Sequence, residues 1–152
     1  MKIDLYTTAM EHYARGRHKE AYDICEANQS DIRCVYALGT MYYNGQGVAK
    51  NLAKSTECYA KAAEAGIVPA AVSAGFAYAN SMGVPEDFEK AAYYLKMAIN
   101  EPAAKITLAE IYAMGHAGGT RKDAAVLIKE VLASIGGEEA YDVYNRYDLG
   151  NV

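Results

Sequence analysis

Apolar residues recur along this chain at spacings of three and four, the interval that brings side chains onto one face of an α-helix. From residue 31 onward, Ile32, Val35, Gly39 and Tyr42 share one face, and after a turn Ala53, Cys58, Ala62 and Ala65 give an apolar side to the next helix. The alternation of apolar stripe and polar break predicts helices near 3–15, 18–28, 31–44, 51–65, 69–80, 87–100, 103–114, 121–135 and 138–146, and no strand. Asn51 and Asp87 stand at N-cap positions, where a short side-chain oxygen can accept the free amide hydrogens of a first turn. The fold class is therefore all-α.

Laid against itself, the chain repeats. The stretch LGTMYYNGQGVAKNLAKSTECYAKAAEAG from Leu38 aligns with AGFAYANSMGVPEDFEKAAYYLKMAINEP from Ala74, a shift of 36 residues. Gly39 meets Gly75, Tyr42 meets Tyr78, Gly47 and Val48 meet Gly83 and Val84, and Lys54 meets Lys90. A looser copy begins at Leu108, with Ala109 and Tyr112 on Gly75 and Tyr78, and another lies upstream around Tyr13. Each unit reads as two helices. The predicted organisation is one domain over residues 1–152, with units near 3–30, 31–66, 67–102 and 103–136 and a cap over 137–152. About four units exceed the roughly three that a stacked array needs. Gly39 and Gly75 leave room for a neighbouring helix, and the glycines of NGQG supply backbone angles that other residues resist.

These residues resemble the Sel-1-like repeat, a longer-linked relative of the tetratricopeptide repeat. The second unit carries the pattern through Leu38, Gly39, Tyr42, Gly45, Gly47, Val48, Lys54, Ala62, Ala63 and Gly66. The third carries Gly75, Tyr78, Gly83 and Val84, with Ser81 in place of the first linker glycine. The fourth keeps Tyr112 and Gly115, and the first is closer to a plain tetratricopeptide unit through Ala9, Gly16 and Ala21. The resemblance implies an α-α superhelix, a solenoid whose first helices line a concave wall. On that wall the four-then-three spacing places Tyr6, Met10 and Tyr13, then Tyr36, Thr40 and Tyr43, then Val72, Phe76 and Ala79, then Ile106, Glu110 and Ala113. Tyrosine is enriched at binding anchors because it joins a rigid apolar ring to a hydroxyl tip. The plainer alternative for Tyr36, Tyr43 and Phe76 is space-filling between adjacent first helices.

Composition narrows the function. With 152 residues, 52% hydrophobic and 22% charged, and only 3 prolines, the whole chain has the means to fold. A formal charge of -4 argues against nucleic acid, whose binding draws on Lys and Arg. Much of that charge sits in Glu138, Glu139, Asp142 and Asp148, where Tyr141, Tyr144 and Tyr147 mark an acidic capping helix. The first twenty residues hold no apolar signal run, and the uncharged stretch 66–85 is too rich in Gly, Pro, Ser and Asn to span a bilayer, so the expected address is cytoplasmic, with no membrane partner.

Chemistry is sparse. His12, His18 and His116 fall in different units and form no metal-binding pair with the cysteines, and no nucleophile elbow or phosphate loop occurs, so neither metal, cofactor nor catalytic residue is assigned and the chain is not read as an enzyme. A secreted subset of the resembling family bridges the second helix of one unit to the first of the next, and Cys25 and Cys34 lie at about that junction. Yet Ala and Val occupy the comparable later positions and no signal precedes them, so Cys25, Cys34 and Cys58 read as reduced thiols. Penicillin binding and β-lactamase activity, linked to that same subset, are not carried over for want of an activated Ser, Lys or metal. The expected function is a protein-interaction module of bacterial or phage type, an adaptor, scaffold or inhibitor holding a partner's helix or extended segment in its groove. The alternative is a small-ligand protein or enzyme using that groove as a pocket. Self-association as a homodimer, through the uncharged third unit, stays open.

Overall fold

The computed structural model of the chain describes residues 2–152. Among them run α1 (Leu5–Ala14), α2 (His18–Glu26), α3 (Ile32–Asn44), α4 (Leu52–Glu64), α5 (Val68–Ala79), α6 (Phe88–Met97), α7 (Pro102–Ala113), α8 (Arg121–Ser134) and α9 (Glu138–Arg146), then a short 3-10 turn at Leu149–Asn151, and no strand. Every helix that the periodicity predicts is present, with ends displaced by a few residues at most. The ends follow from local chemistry. Side chains of Asn51 and Asp87 accept from the amides of Lys54 and Lys90 at 3.0 and 2.9 Å, as their positions imply. Asp31 caps α3 through Arg33 N, and Thr120 and Asp123 form a reciprocal capping box on α8.

Consecutive helices pack as pairs, α1 with α2, α3 with α4, α5 with α6 and α7 with α8, and each pair lies against the next. Alanine makes this close stacking possible, since the buried set includes Ala9, Ala21, Ala62, Ala74, Ala91 and Ala109, whose single methyls let helix backbones approach. Glycine goes one step further. A Cβ on Gly39 would stand 2.8 Å from the Tyr59 ring, and one on Gly75 would stand 2.6 Å from Leu95 Cγ, so both sites admit only hydrogen. The larger core residues, Leu38, Met41, Leu95, Leu108, Ile111 and Ile128, are fully buried and fill the space among the helices.

Two linkers fix the register of the stack. Gly47 and Gly83 both have φ +73°, and a Cβ on either would collide with backbone: the His18 carbonyl at the start of α2 for Gly47, and the Leu52–Ala53 peptide at the start of α4 for Gly83. The glycine-valine step of each linker is thus laid directly on the second helix of the preceding pair. Thr56 reinforces the second of these contacts by donating its hydroxyl to the Met82 carbonyl at 2.9 Å.

The inner face of α4 differs from its expected one. Ala53 and Ala65 are exposed and Cys58 is half-buried, whereas Ser55, Thr56, Tyr59, Ala62 and Ala63 are buried. The helix is turned because two hydroxyls find carbonyl partners inside, Ser55 donating to Gly39 O at 2.7 Å and Thr56 to Met82 O. A satisfied hydroxyl buries at little cost, so polarity alone misplaces this face.

At the C-terminal end α9 lies against α7 and α8. Ala140 and Val143 are buried with Ile106, Ile128 and Leu149, and Tyr144 and Tyr147 pack beside them, while Tyr141 stays 54% exposed. Two of the three expected capping tyrosines therefore pack onto the array, and the small residues between them carry the tightest contact.

Candidate functional site: the inner groove

The first helices of the last three pairs, α3, α5 and α7, stand side by side and leave a groove of about 240 Å³. Tyr43 of α3, Val72, Ser73 and Phe76 of α5, and Ala103 and Thr107 of α7 line it, with Tyr59 behind them and Glu139 of α9 at one side. Two rings project without cover: Tyr43 is 41% and Phe76 48% exposed, large values for aromatics on helices whose other faces are sealed. Around them the lining is small or hydroxylic, so the groove is an apolar trough with hydrogen-bonding points along it.

The expected wall residues divide. Tyr43, Val72 and Phe76 line the groove as their spacing implies. Tyr36 is half-buried with its ring 5.8 Å from that of Tyr59, and Thr40 accepts a hydrogen bond from the Tyr59 hydroxyl at 3.3 Å. Those two support the groove from beneath. At the N-terminal end Tyr6, Met10 and Tyr13 are half-buried against the first core cluster. The Arg33 guanidinium lies 4.6 Å over the Tyr6 ring, while Tyr13 packs at a tilt against the His18 ring and donates to Gln46. The stretch of wall formed by α1 is therefore packed structure, separate from the open groove.

On α7 the expected stripe needs correction. Ile106 is 6% exposed and Ala113 half-buried, both within the cluster that α9 completes, and Ala79 of α5 is likewise half-buried. The face that reaches the groove carries Ala103 and Thr107, and Glu110 follows three residues on, beyond the groove lining, the same four-then-three spacing rotated on the helix. The cause is α9, whose apolar side covers Ile106 and leaves only the preceding face free. Ser73, Ala103, Thr107 and Glu139 were not singled out by sequence reasoning. Ala103 and Thr107 were legible in principle, because they lie seven and three residues before Glu110, on one face of the helix.

The repeat-pattern residues do structural work. Leu38, Gly39 and Tyr42 are buried, and Tyr42 shares a hydrogen bond with the Tyr22 hydroxyl at 3.0 Å. Val48 packs on the first cluster, Tyr78 stacks with Tyr94 at 5.8 Å, and Tyr112 sits between the second and third clusters. Gly45 and Gly47 take the left-handed angles expected of them, Gly83 repeats the step, and Val84 beside it is half-buried.

Charge is distributed unevenly around the groove. Glu110 is half-buried and accepts from Arg146 at 3.1 Å, and Arg146 also pairs with Asp142. Burial pushes the Glu110 carboxyl above its usual range, Arg146 pulls it back, and the neighbouring carboxylates Glu139 and Asp142 push it up again. Glu138 and Glu139 occupy the first turn of α9, where the free amides of the helix favour negative charge. On the α3 side the Lys50 ammonium stands 5.9 Å from the Tyr43 ring.

The thiols are chemically quiet. Cys25 and Cys34 are fully buried in the first cluster, Cys58 is half-buried, and all three are free. Burial pushes the Cys25 thiol up to about 12 and Cys58 to about 11, and raises Cys34 as well, so each is held as the unreactive protonated form. Among the described residues no three His, Cys, Asp or Glu side chains gather as a metal set, and no helix is long and apolar enough to cross a membrane.

Comparison with known proteins bears on the same residues. The model of the family described as Sel1 repeat matches residues 32–67 and 68–101, the two units whose linkers are laid on the preceding pair. Among solved structures, the chain is similar to a Sel1 repeat protein from Oxalobacter formigenes, with a TM-score of 0.78 and 22% identity over 99% of this chain and 62% of that one. It is also similar to a protective antigen present in uropathogenic Escherichia coli strains and displaying an SLR fold, with a TM-score of 0.66 and 20% identity over 88% of this chain and 34% of that one. The chain thus spans under two thirds of either protein's length, and at these identities the likeness is one of fold. No curated protein sequence matches it.

Proposed function

We propose that this chain, which carries two Sel1 repeats at residues 32–67 and 68–101 and folds as a Sel1-like helical array, is a protein-interaction module that seats a segment of a partner protein in the groove between α3, α5 and α7. One observation carries the reading. Tyr43 and Phe76 stand nearly half exposed on the inner side of the stack, lining one groove together and facing small residues that leave them room to grip. Large rigid aromatics of this kind supply most of the energy at protein interfaces. A volume of 240 Å³ falls below the roughly 300 to 1,000 Å³ that drug-sized ligands occupy, which favours an anchoring side chain of a longer segment over a free small molecule.

On this reading the module acts without catalysis, as an adaptor, scaffold or inhibitor, in the cytoplasm. Its test is a comparison of wild type with the Tyr43→Ala, Phe76→Ser double variant against a partner captured from the source cell. Removing two anchors should weaken that complex by a factor of about 30 or more, while the urea midpoint holds, since neither ring is buried. Equal binding by both forms would move the interface elsewhere.

A further inference from the structure

We infer that the groove selects a basic partner segment: one large apolar side chain seated between Tyr43 and Phe76, with lysine or arginine a few residues away turned toward α9. This rests on the interaction reading above and adds the chemistry of the partner. The argument starts from the apolar trough, which by itself would accept any hydrophobic anchor. What distinguishes one sequence from another is the charge along its side. Glu139 lines the trough itself, and Glu110 follows Thr107 on the same face of α7. Glu138 and Asp142 of α9 extend the edge outward through a shallow cleft that shares Glu139.

The charge balance at this edge is negative. Arg146 is the cation there, and it is already engaged by both Glu110 and Asp142. Glu139 forms no ion pair or side-chain hydrogen bond among the contacts of this edge, and it is close enough to Glu110 to raise that carboxyl, which is partly withdrawn from water. Carboxylates that repel one another beside an apolar seat are relieved by a cation arriving with the apolar group. An acidic segment would add to the repulsion, and so would a phosphate backbone or an anionic membrane surface. On the other side, Lys50 beside Tyr43 disfavours a second basic group there and so sets a direction for the bound segment. The span from α3 to α7 covers two helix spacings of about 10 Å each, which an extended chain crosses in roughly six residues.

The test uses fluorescein-labelled decapeptides with a central leucine, carrying two lysines, two glutamines or two glutamates on one side of it only, N-terminal in one set and C-terminal in another, read by fluorescence anisotropy at low and high salt. The lysine peptide should bind at least about fivefold tighter than the glutamine one, and the glutamate peptide weakest. The lysine preference should fade in high salt and in a Glu110→Gln, Glu139→Gln variant, both substitutions keeping side-chain volume. Binding should be lost when the central leucine becomes glycine or when Phe76 becomes Ser. Far-UV circular dichroism of each variant confirms that it is folded. Equal affinity for the lysine and glutamine peptides, with dependence on Phe76 retained, overturns the basic preference and leaves the groove reading standing. Lysine peptides that bind regardless of leucine or Phe76 are adsorbing to an acidic surface, and that result overturns the proposal and counts against the groove. If no peptide binds, the proposal is overturned, and the captured partner's dependence on Tyr43 and Phe76 still decides the groove reading on its own.

Discussion

Replacing Gly75 by Ala should destabilise this protein in one background and be close to neutral in another. In wild type the new Cβ would lie 2.6 Å from Leu95 Cγ, 2.8 Å from its Cδ2 and 3.1 Å from the Ala91 carbonyl, against the 3.5 to 4.0 Å at which carbon atoms ordinarily rest. Leu95 is fully buried and the carbonyl belongs to helix backbone, so neither yields easily. Overpacking of this kind costs about 1 to 3 kcal/mol, offset by about 1 kcal/mol gained when alanine replaces glycine inside a helix, for a net loss of up to about 2 kcal/mol. Leu95→Ala alone should cost about 2 to 5 kcal/mol for the cavity it leaves. In that cavity the alanine methyl at 75 no longer meets the Leu95 branch, and only the 3.1 Å approach to the Ala91 carbonyl still opposes its helix preference. Gly75→Ala should then be close to neutral, giving a coupling of up to about 2 kcal/mol across the cycle. The assay is urea unfolding of all four proteins followed by far-UV circular dichroism and by tyrosine fluorescence. Both probes are needed, because stacked repeats can unfold in steps and only coincident curves license a single free energy. A Gly75→Ala cost of the same size with and without Leu95 would refute the claim that α5 and α6 meet through this contact.

Two further outcomes follow from single sites. Ser81 occupies the linker position that Gly45 fills one unit earlier and holds φ +55°, a left-handed angle that costs a side-chain-bearing residue about 1 kcal/mol or more. Its side chain is exposed, so Ser81→Gly should raise stability by about 0.5 to 1 kcal/mol, seen as a higher urea midpoint, and an unchanged midpoint would show that the angle carries no strain. The thiols give the other outcome: maleimide added after denaturation without reductant should mark three cysteines, while Cys25 and Cys34 in the native protein at pH 8 should label far more slowly than a free thiol, being buried and held protonated. A single labelled site in the denatured chain would reveal a disulfide between the other two.

The helices were legible because this chain marks their ends with groups whose hydrogen bonds are local. Asn51 and Asp87 cap the helices they precede, and Gly39 and Gly75 advertise close approach in any alignment of the chain with itself. What the pattern could not give is rotation about a helix axis when the deciding contacts are long-range. The inner side of α4 was misplaced because Ser55 and Thr56 look solvent-facing until their carbonyl partners, 16 and 26 residues away, are known. The same limit governs the groove. Tyr43 and Phe76 were reached by spacing together with the resemblance that puts first helices on the inner wall, yet Tyr36 shares that spacing and is drawn under the surface by Tyr59, a residue of the following helix. Ile106 was lost to the groove through α9, more than thirty residues further along the chain.

On the proposed reading, that last helix ties stability to recognition. Ala140, Val143, Tyr144 and Tyr147 follow one another at spacings of three, one and three, which places them on the face that closes the end of the array over Ile106, Ile128 and Leu149. The acidic residues Glu138, Glu139 and Asp142 lie on the exposed remainder of the same helix and are not needed for that closure. Two carboxylates in the first turn are favoured by the helix amides, which accounts for their presence at an N-terminus but not for the edge as a whole. Asp142 lies beyond that turn, and Glu110 belongs to another helix and is partly withdrawn from water beside them. An end cap selected for solubility alone would spread its charge to avoid this repulsion. Here the charge is concentrated where α9 meets the groove, and on the proposed reading this edge belongs to the surface a partner touches, held in place by the apolar side of the helix that bears it.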